Sequence, residues 1–559
     1  MLQVAFYFAF TQAYFTALVA IAAFGFASWT ILGNFSPVYG LINSALCVGF
    51  IEYWKFQQQE LAIRWGVKGV SSIEKPRHDF VAEKEIKDPV TGQPTKVFSS
   101  PERLRRQLWQ IPFVIAAATA LGTVISTCFG IEIFISEIYN GPGKSVLTYL
   151  PTIIITTLQP VIIGVLSEFA TRLTKYENYE TEGEYETAMT QKTFVINFVT
   201  SYLPIMLTAF VYYPFANTLV PYLDVFSLTV KPFAENEKQL RAPTSGFQIN
   251  PDRLKKQMIY FAVTAQIVGQ VLEVVLPYVK REGFSWWKKY QSKRAARRAG
   301  KVSDEASAFD APEEKAFLNR VRQEAELSEY DVTSDLREIV IQFGYLALFS
   351  IIWPVTSVSF LVNDWIELRT DAVKICLESQ RPTPLRSDGI GPWLDNLEFI
   401  AWVGSITTAA IAYMFSNDGL RPDGTPKNLD GFTLMITIFL AEHAYLIVRF
   451  MARYAVSKLD SPGRQKERQE RYLVRQRYLE ESLGEQATKL GQPQNGMASL
   501  EHVNRRTLEE EARASSQMGA NAARPEKRFW LRQRSWQETV REGGRLIDAA
   551  GSSEEKKVR

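Results

Sequence analysis

A chain of 559 residues, 46% hydrophobic and 13% aromatic, is longer than one soluble core usually grows, so it holds either several domains or a membrane bundle. Its 63 basic and 60 acidic residues leave a net charge of only +3, which excludes a global pull toward nucleic acid. Three cysteines, all in or near apolar runs, and three histidines argue against a disulfide framework, a zinc cage and most histidine-based chemistry.

Apolar runs of about 20 residues, the length that crosses a bilayer core, recur along the chain. In order they cover 4–32, 38–56, 109–135, 146–167, 194–215, 256–279, 336–353, 355–380, 398–415 and 431–452. The mean hydropathy of −0.09 hides them, because long charged loops dilute the average. The first run lacks a basic lead and a small-residue cleavage site, so it is read as a span and not as a signal peptide. The expected fold is all-α, a polytopic membrane protein with a ten-transmembrane-helix bundle over 1–459. Residues 460–559 form a charged tail, poor in branched apolar residues, whose composition cannot bury a core alone. It is expected to be part helix and part disorder. Its RFWLRQRSWQETVREGGRLI segment reads equally as an amphipathic helix on a partner or membrane surface and as an ordinary solvated helix.

Orientation follows from the basic residues, which are retained on the cytoplasmic side of short loops. Residues 55–106, 280–301 and the tail from Arg464 are rich in Lys and Arg, whereas the turns around Asn34 and Asn140 have almost none. Both termini are therefore expected in the cytoplasm. No P-loop, dinucleotide turn, nucleophile elbow or nucleophile-base constellation is visible, so an enzyme is not expected.

Acidic residues inside the apolar runs carry the strongest functional signal. An Asp in a bilayer costs roughly 2.5 to 3.5 kcal/mol on insertion scales, and such residues usually face a bundle interior with a partner. The segment DLREIVIQFGYLALFSIIWPVTSVSFLVNDWIELRTD reads as a helical hairpin turning near Trp353, with Pro354 midway. Folding it there sets Asp335 level with Asp371 and Glu338 opposite Glu367. Spacings of i,i+3 and i,i+4 put each pair on one helical face. Glu273, one turn before Pro277 and close to the Lys280-Arg281 boundary, has a similar depth. Five such charges need a compensating cation. Oxygen ligands favour calcium, since zinc prefers nitrogen and sulfur and magnesium retains more water. Helix-entry acids or partners for Arg337 and Arg369 would explain Asp335 alone more readily than the set, and a proton relay is the intermediate reading.

The blocks FYFAFTQAYFTALV, FIEYWKFQQQELAIRWG, TKYENYETEGEYETAMTQKTFVINFVTSYLP, DLREIVIQFGY, IELRTDA and AEHAYLIVRF resemble the anoctamin family of calcium-activated channels and lipid scramblases, above all its fungal members. The resemblance implies a ten-helix subunit, a homodimer joined mainly through the tenth helix, and two calcium ions per subunit, held at Glu273, Asp335, Glu338, Glu367 and Asp371. Channel members often place an amide ligand one turn before the first of these, where this chain has Gly269. Family members normally begin with a cytosolic α/β domain, whereas residue 1 here stands almost at the first helix, as a truncation or a natural short form would give. The pair Glu52 and Asp460 resembles a peripheral calcium site of some members. By resemblance to fungal scramblases, Thr152, Thr200, Ser201 and Tyr260 would line a polar furrow open to lipid, with Glu132, Glu137 and Arg253 at its outer mouth. Read without the resemblance, the hydroxyls suit back-bonding to their own helices. The function implied is a calcium-activated phospholipid scramblase of the plasma membrane or endoplasmic reticulum, with accompanying ion conduction. The rivals are a calcium-activated ion channel and a membrane tether with a vestigial ion site.

Overall fold

A computed structural model of the chain describes residues 2–70, 77–87, 94–139, 141–233, 249–272, 327–382, 387–416 and 425–489, with isolated positions between them. Each of the ten apolar runs holds a helix among these residues. They are α1 (Leu2–Leu32), α2 (Pro37–Arg64), α3 (Gln110–Ile133), α4 (Leu150–Glu177) and α5 (Glu182–Leu207), followed by α6, which starts as Arg253–Ile259. Then come α7 (Val332–Phe349), α8 (Thr356–Leu377), α9 (Trp393–Phe415) and α10 (Gly431–Ser457). Helix α6 passes through a π-helical turn at Tyr260–Thr264 and continues to residue 272. Beside several shorter helices, a further long one, α11, spans Pro462–Lys489. The only strands among the described residues are a short antiparallel pair, Lys84–Lys87 with Pro94–Val97, and a two-residue parallel contact between Ser328–Glu329 and Ser379–Gln380.

Among the described residues, six helical stretches are long and apolar enough to cross a membrane: Leu2–Leu32, Ser100–Ile138, Lys144–Glu177, Glu182–Leu219, Trp393–Phe415 and Gly431–Ser457. Helices α2, α7 and α8 are not among them, and α6 is described only to residue 272. The molecule is an integral, multi-pass, nearly all-α membrane protein.

Local signals set the helix starts. Thr181 accepts from the Glu184 amide (3.2 Å), Asp331 from that of Thr333 (2.9 Å) and Asp430 from that of Thr433 (3.1 Å), each satisfying an otherwise orphaned first-turn donor. Helix α7 ends in a 3₁₀ turn at Ser350–Ile352, and Pro354 separates it from α8.

The core lies around α7, which buries residues on all its faces, against α9 on one side, while α1 packs along α8. Small residues permit this closeness, as in other membrane bundles. A Cβ on Gly404 of α9 would stand 2.9 Å from the Ala347 carbonyl of α7, and one on Gly25 of α1 would stand 2.7 Å from that of Pro354. Polar cross-links reinforce it: Asn43 donates to the Leu346 carbonyl (3.1 Å), Tyr202 to that of Ile341 (2.9 Å) and Thr408 to that of Ala347 (3.1 Å).

Residues 1–465 and 466–559 are two separate units. In the first, Glu60 accepts from the Ser461 hydroxyl and the Gly463 amide (2.9 Å), tying the start of α11 to α2. In the second, α11 continues as an exposed helix. The RFWLRQRSW segment lies outside the described residues.

Candidate metal centre and polar groove

Asp335, Glu367 and Asp371 are buried to within 2–3% of full enclosure. Glu367 and Asp371 share one face of α8, and Asp335 sits in the first turn of α7. Each carboxylate has found a donor, as burial demands. Asp335 is bonded by the Lys374 ammonium (2.8 Å to Oδ1) and by the Tyr330 hydroxyl on its other oxygen. Asn363 donates to Glu367 (3.0 Å), and the Tyr7 hydroxyl of α1 donates to Asp371. Tyr7 thus ties the N-terminal part of α1 to the acid-bearing face of α8. Glu338 is exposed. Glu273 lies outside the described residues.

In this arrangement no group of three His, Cys, Asp or Glu residues among the described ones stands close enough to hold a metal ion. At Asp335 the Lys374 cation offsets the charge from within the chain. The chemistry of the donors nonetheless fits calcium, being hard carboxylate oxygens with amide and hydroxyl neighbours and no thiolate or imidazole among them. Gln270 of α6 accepts from Thr370 of α8 (3.4 Å). It thus brings a side-chain amide to this region from the position after Gly269.

Sequence reasoning missed Tyr7, Lys374 and Gln270. Lys374 follows Asp371 by three residues, and its cation could have been read as a rival for the acids. Tyr7 is 364 residues from Asp371 and gives no local signal at all.

Glu52 and Asp460 are engaged with different partners. Glu52 is ringed by cations, with Lys55 at 3.0 Å, Arg453 at 3.3 Å and Arg449 at 3.5 Å. Arg449 and Lys55 also clamp Glu398 of α9. Asp460 accepts from Gln465 (3.0 Å).

Helix α5 packs against both α4 and α6. At one end of this trio Arg253 pairs with Glu132 (2.7 Å) and Glu137 (3.2 Å), and Tyr212 donates to Glu137 (2.6 Å). The Arg253 guanidinium lies 5.2 Å and 5.3 Å from the ring centroids of Phe129 and Tyr212, within cation–π range. The three charged residues singled out for an outer mouth therefore form one cluster. Further along, Thr152 is exposed and its carbonyl accepts from Thr156 (2.7 Å). Thr200 back-bonds to Ile196 (3.0 Å), and the Ser201 carbonyl accepts from Tyr345 (2.7 Å). Back-bonding of this kind is ordinary in apolar helices. The Tyr260 side chain, in the π turn, is 49% exposed.

Comparison with known proteins matches residues 2–471 to a family model described as "Anoctamin: Calcium-activated chloride channel". An uncharacterized protein of Schizosaccharomyces pombe, C691.05c, is 28% identical over 80% of this chain and 64% of its own length. Increased sodium tolerance protein 2 of Saccharomyces cerevisiae is 26% identical over 74% of this chain and 44% of its own length. Anoctamin-10 of Mus musculus is 25% identical over 81% and 62%. The chain thus spans less than two thirds of the length of these relatives. With its match running through all ten long helices and into α11, it belongs to the anoctamin family.

Proposed function

We propose that this chain is a calcium-activated phospholipid scramblase that also conducts ions, with both termini in the cytoplasm and a second copy of itself paired through α10. The observation that carries the reading is the gathering of Asp335, Glu367 and Asp371, buried around Tyr7 at the inner ends of α1, α7 and α8. Charge at that depth is costly unless it has work to do.

Asp335, Glu338, Glu367 and Asp371, with Glu273 from α6, would hold up to two calcium ions, which supply the positive charge that the five acids lack. The chain's own residues then account for the coupling. Lys374 releases Asp335, and Tyr7 releases Asp371, so both carboxylates can turn inward. Helix α6 follows α8 because Gln270 meets Thr370, and because Ser359 donates to the Ala262 carbonyl (2.7 Å) inside the π turn. A π turn is a common site of irregularity at functional positions, and this one holds Tyr260, whose side chain is exposed. A shift there reshapes the groove between α4 and α6. Binding can move this balance only by favouring one arrangement over the other.

In the groove, Thr152, Thr200, Ser201 and Tyr260 offer polar contacts to a headgroup. Arg253, Glu132 and Glu137 match the two charges of a zwitterion. The rival channel reading draws on the description of the family model. Liposomes holding the purified chain, assayed together for fluorescent-lipid flipping and chloride efflux with and without calcium, separate the two. Flipping that rises with calcium supports the proposal; calcium-dependent chloride efflux without flipping supports the channel.

A further inference from the structure

Helices α1 and α8 run antiparallel in a constant register: Tyr7 meets Asp371, and Gly25 stands against Pro354. Seven residues deeper along this register, Tyr14 comes level with Asp364, and the carboxylate of Asp364 acts electrostatically on the Tyr14 hydroxyl. Helix α7 repeats the step. Gln342 lies seven residues beyond Asp335, and the ring of its neighbour Phe343 packs 6.2 Å from that of Tyr14. All three side chains are buried, Asp364 and Tyr14 completely and Gln342 to 2%. The Tyr14 hydroxyl, both Asp364 oxygens and both polar atoms of Gln342 have no hydrogen-bond partner. Orphaned buried polar atoms are rare in native proteins, and three orphaned groups at one level point to a ligand.

We propose that Asp364, Gln342 and Tyr14 form a second cation subsite, about 10 Å deeper than the inner carboxylates, that takes a dehydrated alkali ion. One carboxylate balances one positive charge, whereas a divalent ion would leave a net charge buried in a low-dielectric core. The amide and phenol oxygens are hard neutral donors of the kind that replace a hydration shell. An ion here repels cations at the inner carboxylates across roughly 10 Å of protein. This last effect rests on the calcium reading above; the subsite itself does not.

Sodium NMR line broadening by the full chain in lipid nanodiscs, with calcium chelated, tests the subsite directly. Parent protein is expected to broaden the sodium signal at least about twofold more than Asp364→Asn, and equal broadening overturns the proposal. If Asp364→Asn does not elute as the parent does, Tyr14→Phe, which keeps the ring volume, is read in its place and is expected to weaken the broadening. Calcium affinity supplies a second readout: replacing sodium by N-methylglucamine at equal ionic strength is expected to tighten calcium binding to the parent by at least about fourfold, the effect of a +1 and a +2 charge roughly 10 Å apart at the dielectric of water, and to leave Asp364→Asn unchanged. A salt effect that persists in Asp364→Asn contradicts the subsite. Failure of the parent to bind calcium in either salt defeats the calcium reading alone.

Discussion

Lys374 offers the sharpest test of how the inner acids work. Its ammonium holds Asp335 at 2.8 Å while itself being only partly buried, an ion pair worth about 1 kcal/mol. An incoming divalent cation has to displace it. Lys374→Met is therefore expected to bind calcium roughly fivefold more tightly, as measured by equilibrium binding to purified protein; unchanged or weaker affinity would mean that the lysine does not compete. Tyr7 acts on the partner acid but carries no charge, so Tyr7→Phe is expected to change affinity less than Lys374→Met does in the same assay. Of the four acids singled out on the α7–α8 hairpin, Asp335, Glu367 and Asp371 are buried and Glu338 is exposed; charge in apolar runs is costly enough to mark them in the sequence. Their neighbours were not so marked. A lysine near a helix end reads as a boundary marker, a tyrosine in the first span reads as packing, and what sets Asp364 apart, its buried oxygens without hydrogen-bond partners, leaves no trace in sequence.

Among the elements, α4 and α5 are joined by a pair that removes both ions from water: Lys192 and Glu177 meet at 2.8 Å with side-chain exposures of 2% and 0%. Removing one partner strands the other. Lys192→Met is expected to cost about 3–5 kcal/mol of stability, seen as an earlier melting transition in micelles. The double variant with Glu177→Gln is expected to recover most of the loss, and no recovery would show that the lysine stem, not its charge, matters. The hairpin of α7 and α8 was readable from Pro354 midway through a long apolar stretch, and its turn is where that residue stands. The π turn of α6 was not readable, since YFAVT contains no proline or glycine to announce it and its geometry is fixed by packing and by Ser359. Nor could spacing foretell that α1 would pack along α8, which brings the first and eighth helices together.

For the molecule as a whole, the apolar face of α10 is the feature the single chain leaves open. Phe432, Met435, Phe439, Leu440, Ile447 and Phe450 are all exposed, and Tyr445 is its only buried residue. A face this apolar suits either lipid or a second copy. Ile447→Cys in a Cys376→Ser background, where the two remaining cysteines are buried, is expected to give a disulfide-linked dimer in membranes under mild oxidation; monomer alone would assign the face to lipid. That each apolar stretch holds a helix was legible in hydropathy, because a bilayer sets a minimum apolar length for a span. Which helices touch was not legible, because close approach depends on Gly25 and Gly404, and neither stands out in sequence.

The central claim is that the buried acids of α7 and α8 bind calcium and thereby open the lipid groove. Its most direct test is calcium-dependent lipid flipping in liposomes by the parent and by Asp335→Ala with Glu338→Ala. The account predicts that the parent speeds flipping at least about tenfold when calcium is added and that the double variant, eluting as the parent does, shows no calcium response; a double variant with undiminished calcium dependence would contradict it.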